Sequence, residues 1–180
     1  VQMFAWERVS GKGVWRDAIF SDMFAWDGRY LETEVDVYER KDQKGFYRLD
    51  NVYTAEYFTR LVEGDEAGKD PALVASYSSY IDPNAYIYLN ATDPDKVWFP
   101  AQKTGFSDPQ MGDLMVASDV TEVFGSASNL LYGTLKDGIV TFPKNGLLLG
   151  MGGYYYFTNS SGKFRFVLPG YEAADYSISL

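Results

Sequence analysis

The stretch Arg29-Tyr30-Leu31-Glu32-Thr33-Glu34-Val35-Asp36-Val37-Tyr38-Glu39-Arg40 alternates by twos from Leu31 to Val37. Leu31, Thr33, Val35 and Val37 fall on one side, and Glu32, Glu34 and Asp36 on the other. A period of two is that of a β-strand with one dry face and one wet face. Asp42-Gln43-Lys44-Gly45 then turns the chain, and Phe46-Tyr47-Arg48-Leu49 reads as the returning strand. Upstream, Met3 to Val9 and Val14 to Phe20 flank Ser10-Gly11-Lys12-Gly13, a second hairpin pattern.

The same style continues along the chain. Ala85-Tyr86-Ile87-Tyr88-Leu89-Asn90 alternates, Ala91 to Asp95 turns, and Lys96-Val97-Trp98-Phe99 returns. Leu130 to Leu135 runs into Lys136-Asp137-Gly138, followed by Ile139 to Phe142. Asp-Gly between two apolar runs is the strongest short hairpin signal. Leu147 to Met151, Tyr154 to Thr158 and Lys163 to Leu168 complete the series, with Asn159-Ser160-Ser161-Gly162 as a polar turn between the last two. Short strands with such turns predict an all-β, antiparallel β-sandwich-like architecture with little helix. Tyr53 to Val62 has room for two helical turns, and the breaker-rich acidic stretch Glu63 to Pro71 reads as a long loop or boundary. The expected organisation is a β module over residues 1–70 packed on a second over 71–180, the two amounting to one compact unit or nearly so. Val97-Trp98-Phe99-Pro100 and Ile139-Val140-Thr141-Phe142-Pro143 echo each other, by duplication or by common strand punctuation.

Composition narrows the chemistry. The 180 residues include no cysteine and no histidine. Disulfides, thiolate chemistry, Ser-His-Asp catalysis and His/Cys zinc sites are excluded. The 25 acidic and 16 basic residues leave a net charge of −9 without a basic patch, which argues against nucleic acid as a partner. An anionic bilayer would repel such a chain unless a lipid anchor held it. Glycines at Gly11-Lys12-Gly13 and Gly150-Met151-Gly152-Gly153 lack phosphate-loop spacing and fit turns or bulges. Asn90, Asp93 and Asp95 carry oxygens of the calcium-binding kind, but an Asp-Pro turn capping its own backbone accounts for them, so no metal and no cofactor is expected. Paired carboxylates suit glycoside cleavage, yet no spacing singles out a pair. No catalytic residue is assigned.

The aromatics stand out: 15 Tyr, 12 Phe and 4 Trp, 17% of the chain. If Ile87 and Leu89 face a core, Tyr86 and Tyr88 face outward. Tyr154-Tyr155-Tyr156-Phe157 must likewise send alternate rings outward. Tyr86, Tyr88, Trp98, Tyr154 and Tyr156 are therefore the candidate ligand-binding residues. Exposed rings with polar tips suit sugars or proteins, while strand propensity and cross-strand pairing offer a purely structural account.

Trp15-Arg16-Asp17, followed by a strand and Gly45-Phe46-Tyr47-Arg48-Leu49-Asp50-Asn51-Val52-Tyr53, resembles a pattern in exported proteins of gut Bacteroidetes. Asp93-Pro94-Asp95-Lys96-Val97, Tyr132-Gly133 through Leu135-Lys136-Asp137-Gly138-Ile139 to Thr141-Phe142-Pro143, and Asn159 through Gly170 resemble its continuation. Val52 stands where that group commonly has proline. The resemblance implies a β-rich, adhesin-like or uncharacterised surface lipoprotein at the extracellular face of the outer membrane. Its export signal and lipid-bearing cysteine would lie upstream of Val1. The expected function is non-enzymatic binding, either adhesion or glycan capture. The rivals are an accessory protein-interaction domain of an envelope system and, behind it, a carboxylate-based glycosidase.

Overall fold

The computed structural model describes residues 5–17, 19, 31–118, 131–151 and 155–171, with only the backbone at 155–157. Among these residues the fold is all-β and sandwich-like, with every strand pair antiparallel. The strands, in chain order, are β1 (Trp6–Arg8), β2 (Gly13–Asp17), β3 (Leu31–Arg40), β4 (Phe46–Asp50), β5 (Tyr86–Asn90), β6 (Gln102–Asp108), β7 (Gly112–Ala117), β8 (Thr134–Lys136), β9 (Ile139–Thr141), β10 (Leu148–Met151), β11 (Tyr155–Thr158) and β12 (Arg165–Val167). One sheet runs β5-β4-β3-β2-β12-β9-β8, with β1 also on β3; the other runs β11-β10-β7-β6.

β3 organises the first sheet, and its burial follows its sequence. Leu31, Val35 and Val37 are buried, whereas Glu32 and Glu34 are exposed. The Asp42–Gly45 turn returns the chain into β4, where Gly45, at φ 89°, donates its N–H to Glu39 Oε2 at 2.9 Å. At the β8–β9 hairpin Asp137 and Gly138 have φ of 54° and 79°. Two successive positive φ values define the mirror-image turn that matches strand twist, as an Asp-Gly pair requires.

Two expectations are corrected. Ser10–Gly13 is not a hairpin: β1 and β2 both pair with the same edge of β3, one after the other. The intervening residues bulge, and Asp36 on β3 takes ion pairs from both sides of the break, Arg8 at 2.9 Å and Lys12 at 2.6 Å. The Lys12 hydrogen bond holds the Asp36 carboxyl below its ordinary value. The stretch after Glu63 is not a loop. Helix α1 (Ala55–Glu63) is followed by a 3-10 turn (Asp65–Lys69) and helix α2 (Pro71–Ser78). Asp70 caps α2 by accepting from Ala72 N and Leu73 N, and Pro71 starts it where a missing N–H costs nothing. Asn159–Gly162 is the expected turn, with Gly162 N–H donating to Asn159 O at 2.9 Å, and it carries the chain from the second sheet to the first. The residue-70 boundary falls between the 3-10 turn and α2, and β5, β8, β9 and β12 from beyond it share the first sheet with β1–β4.

One continuous core lies between the sheets and α1. Trp15, fully buried, meets Phe164 edge-on at 4.9 Å, Phe99 at 5.8 Å and Tyr53 at 6.0 Å, with Phe166 tilted at 6.1 Å. Phe99 and Phe142, the two phenylalanines of the sequence echo, stack at 5.7 Å. Helix α1 buries Tyr57, Phe58 and Leu61, and Phe58 stacks on Phe106 of β6 at 4.4 Å. Asp17 is buried beside these rings. It accepts from the Tyr53 hydroxyl at 2.6 Å and from Trp15 Nε1 at 3.4 Å.

Because four rings converge on Trp15, Trp15→Ala removes contacts that no neighbour can replace. The expected cost is about 3–5 kcal/mol, read as a lowered urea midpoint at unchanged slope. A loss below about 1 kcal/mol would show that the aromatic cluster is not the keystone of the core.

Candidate functional site: an aromatic outer face and its pocket

β5 places the sequence-predicted tyrosines. Ile87 and Leu89 are buried at 1% and 0% exposure, while Tyr86 is 44% exposed. Tyr88 shares the outward face but is half-buried, because other rings lie over it. The Tyr86 and Tyr88 rings meet edge-on at 5.1 Å. Trp98 joins them through its backbone: Asn90 and Trp98 exchange two 3.0 Å hydrogen bonds, and paired residues share a face. Val97 and Phe99 beside it go into the core. Tyr156 lies in β11 opposite Gly150, in the other sheet from Tyr86 and Tyr88. Tyr154 lies outside the described residues.

Strand pairing adds residues that single-strand reasoning missed. The register Arg8–Tyr38–Arg48–Tyr88 crosses β1, β3, β4 and β5, and Asp36–Asp50–Tyr86 runs beside it. Trp6 of β1 stacks on Tyr88 at 5.8 Å, and Phe46 of β4 packs against both rings, at 6.3 Å from Trp6 and 5.7 Å from Tyr88. Arg48 sits at the centre. Its guanidinium lies 4.3 Å from the Tyr38 ring, 5.4 Å from Tyr86 and 5.6 Å from Trp6. Asp50 fixes it with two bonds, Nε to Oδ1 at 2.9 Å and Nη2 to Oδ2 at 3.0 Å. A cation over several ring faces gains about 0.5–2 kcal/mol per contact, more as water is excluded. The alternation of Phe46 and Arg48 with buried Tyr47 and Leu49 was visible in the sequence; the approach of Trp6 was not.

A Gln102 side chain closes the far side of Tyr88. Its Oε1 accepts from Tyr88 N at 2.8 Å, and its Nε2 donates to Tyr88 O at 2.7 Å. Burial pushes the Tyr88 phenol up to about 12, with the neighbouring Tyr86 hydroxyl acting in the same direction and Arg48 and Arg40 opposing.

Tyr86 also forms the rim of a pocket of about 240 Å³. Asn51, Thr54, Asp82 and Thr104 supply polar groups to it, and Val52 and Ile87 apolar surface. The Asn90–Asp95 turn is a set of self-capping bonds: Asn90 Oδ1 accepts from Thr92 N at 3.2 Å, and Asp93 Oδ1 from Asp95 N at 2.9 Å. Among the described residues no three acidic side chains gather as metal ligands, and no helix is long and apolar enough to cross a membrane. Compared with known proteins, the chain matches no family model, no curated protein and no solved structure.

The raised Tyr88 pKa gives an alkaline test. A phenol normally ionises near pH 10. The folded state prefers neutral Tyr88, so its contribution is complete below pH 10 and is lost as pH rises towards about 12. Burial also pushes Tyr47 up to about 12, so titration at 295 nm should show late phenolates near pH 12 whose amplitude falls by one phenolate in Tyr88→Phe, and Tyr88→Phe should lose less stability across that window. A Tyr88 phenolate forming at pH 10 would mean that the ring is not covered.

Proposed function

We propose that this chain is a non-enzymatic binding module that captures glycans at the cell surface, using the outer face of β1, β3, β4 and β5. The observation that carries this reading is the outward-facing group of Trp6, Tyr38, Tyr86 and Tyr88 around Arg48, continuous with the Tyr86 pocket. A hydrophobic core does not need these rings, since Ile87, Leu89, Val37 and Leu49 already fill the inward face. Sugars present C–H faces that pack on aromatic rings and hydroxyls that pair with fixed polar groups. Arg48, Asp50 and Asn90 provide such groups among the rings.

The net charge of −9 favours neutral glycans over acidic ones. Attachment through a lipid upstream of Val1 fits the same reading, because so acidic a chain gains nothing from anionic headgroups. A second reading is a protein partner of an envelope system. It draws on the residue types of the face, since Trp, Tyr and Arg dominate interface hot spots.

An array of neutral and acidic oligosaccharides, probed with the wild type and with Tyr86→Ser/Trp98→Ala, separates the readings. Retention of neutral glycans by the wild type, lost in the double variant at an unchanged melting temperature, is the expected result. Retention of none, with a surface protein captured through the same residues, would replace glycan capture by the protein-partner reading.

A further inference from the structure

We propose that the pocket beside Tyr86 holds a single uncharged pyranose, the terminal residue of the captured glycan. This rests on the glycan-capture reading and assigns its specificity to a site distinct from the open ring face.

Size limits the occupant. Drug-sized ligands need pockets of about 300–1,000 Å³. At about 240 Å³ this one takes one sugar ring and no more. The wall chemistry then selects its class. Val52 and Ile87 are buried apolar side chains, and the exposed Tyr86 ring stands at the rim. Asn51 and Asp82 lie among them. Asn51 follows β4 with φ 64°, a left-handed conformation that its short amide tolerates, and lines the pocket. Its side-chain amide, with donor and acceptor together, has no hydrogen-bond partner among the described residues. Asp82 spends Oδ1 on Asn84 N at 2.9 Å, leaving Oδ2 as an acceptor. The other hydroxyls are engaged: Thr104 donates to Leu114 O at 2.9 Å, and Thr54 accepts from Tyr57 N at 3.2 Å.

An apolar ligand would strip water from Asn51 and Asp82 without replacing it, at about 1–3 kcal/mol for each unsatisfied group. An anion would meet the Asp82 carboxylate within a chain of net charge −9. A neutral pyranose meets both demands. One face packs on Tyr86, vicinal hydroxyls bridge the Asn51 amide, and a third donates to Asp82 Oδ2. A glycan entering by its end then continues onto Tyr88 and the Arg48 cluster, since Tyr86 belongs to both.

The test titrates the full chain with methyl glycosides of glucose, galactose, mannose, N-acetylglucosamine and glucuronic acid, following backbone amides by NMR. Asn51→Gly removes the amide while keeping the positive φ accessible, and Asp82→Asn removes the charge. The expected result is that a neutral glycoside moves the amides of residues 52–55, 82 and 84–87. Asn51→Gly should weaken it about tenfold at an unchanged melting temperature. Shifts confined to the ring face, or full affinity in Asn51→Gly, overturn the pocket assignment while glycan capture stands. Tighter binding of the glucuronide overturns the uncharged class. If neither monosaccharides nor arrayed oligosaccharides bind, the capture reading falls and the pocket assignment with it.

Discussion

The fold depends on how β2 buries a tryptophan and an aspartate on the same side. Trp15 and Asp17 both face inward, and neither can be buried unaided. The indole N–H needs an acceptor, and the carboxylate needs donors that survive the loss of water. Each partly answers the other, and Tyr53 completes the arrangement from just ahead of α1. Tyr57, in the first turn of α1, donates its hydroxyl to the Leu31 carbonyl at 2.9 Å. Both phenols are raised well above their ordinary value, first by burial and then by the Asp17 charge, which favours the protonated form that donates. The helix is thereby tied to the sheet by directional bonds as well as by packing.

That tie has consequences for the pocket. Tyr53 lies at its inner wall, with its hydroxyl turned to Asp17. The connection from β4 to α1, which carries Asn51 to Ala55, therefore runs between two anchored points: the β4–β5 ladder on one side and the Thr54-capped helix on the other. A concave surface between such supports keeps its shape without a ligand. This rigidity reduces the ordering cost that binding would otherwise incur.

Local periodicity was legible and long-range pairing was not. The two faces of β3 and of β5 follow directly from alternation, because a period of two leaves one assignment once the aliphatics are placed inside. The Asp-Gly hairpin was equally plain, since its backbone demands those residues. The segment from Ser10 to Gly13 misled because two strands on one edge look, in sequence, like two strands facing each other. Helix α2 was hidden by its composition: its hydrophobic residues show almost no helical periodicity, and the Asp70-Pro71 start resembles a loop breaker as much as a cap. Of the ring face, Tyr86, Tyr88 and Trp98 could be read from β5 and its neighbour. The approach of Trp6 could not, because it depends on which strands flank β3 and β4.

The Gln102 side chain also bears on how the molecule avoids its own kind. β5 ends the first sheet, and its outer margin would offer unpaired amide and carbonyl groups to any extended chain. The carboxamide of Gln102 occupies both groups of Tyr88, as one residue of a neighbouring strand would, and Trp98 occupies both groups of Asn90. At these two residues the margin is covered by one side chain and a short return of the chain. A sheet edge guarded in this way can leave rings uncovered on its face while hindering growth by strand addition into fibrils, which would bury those rings permanently.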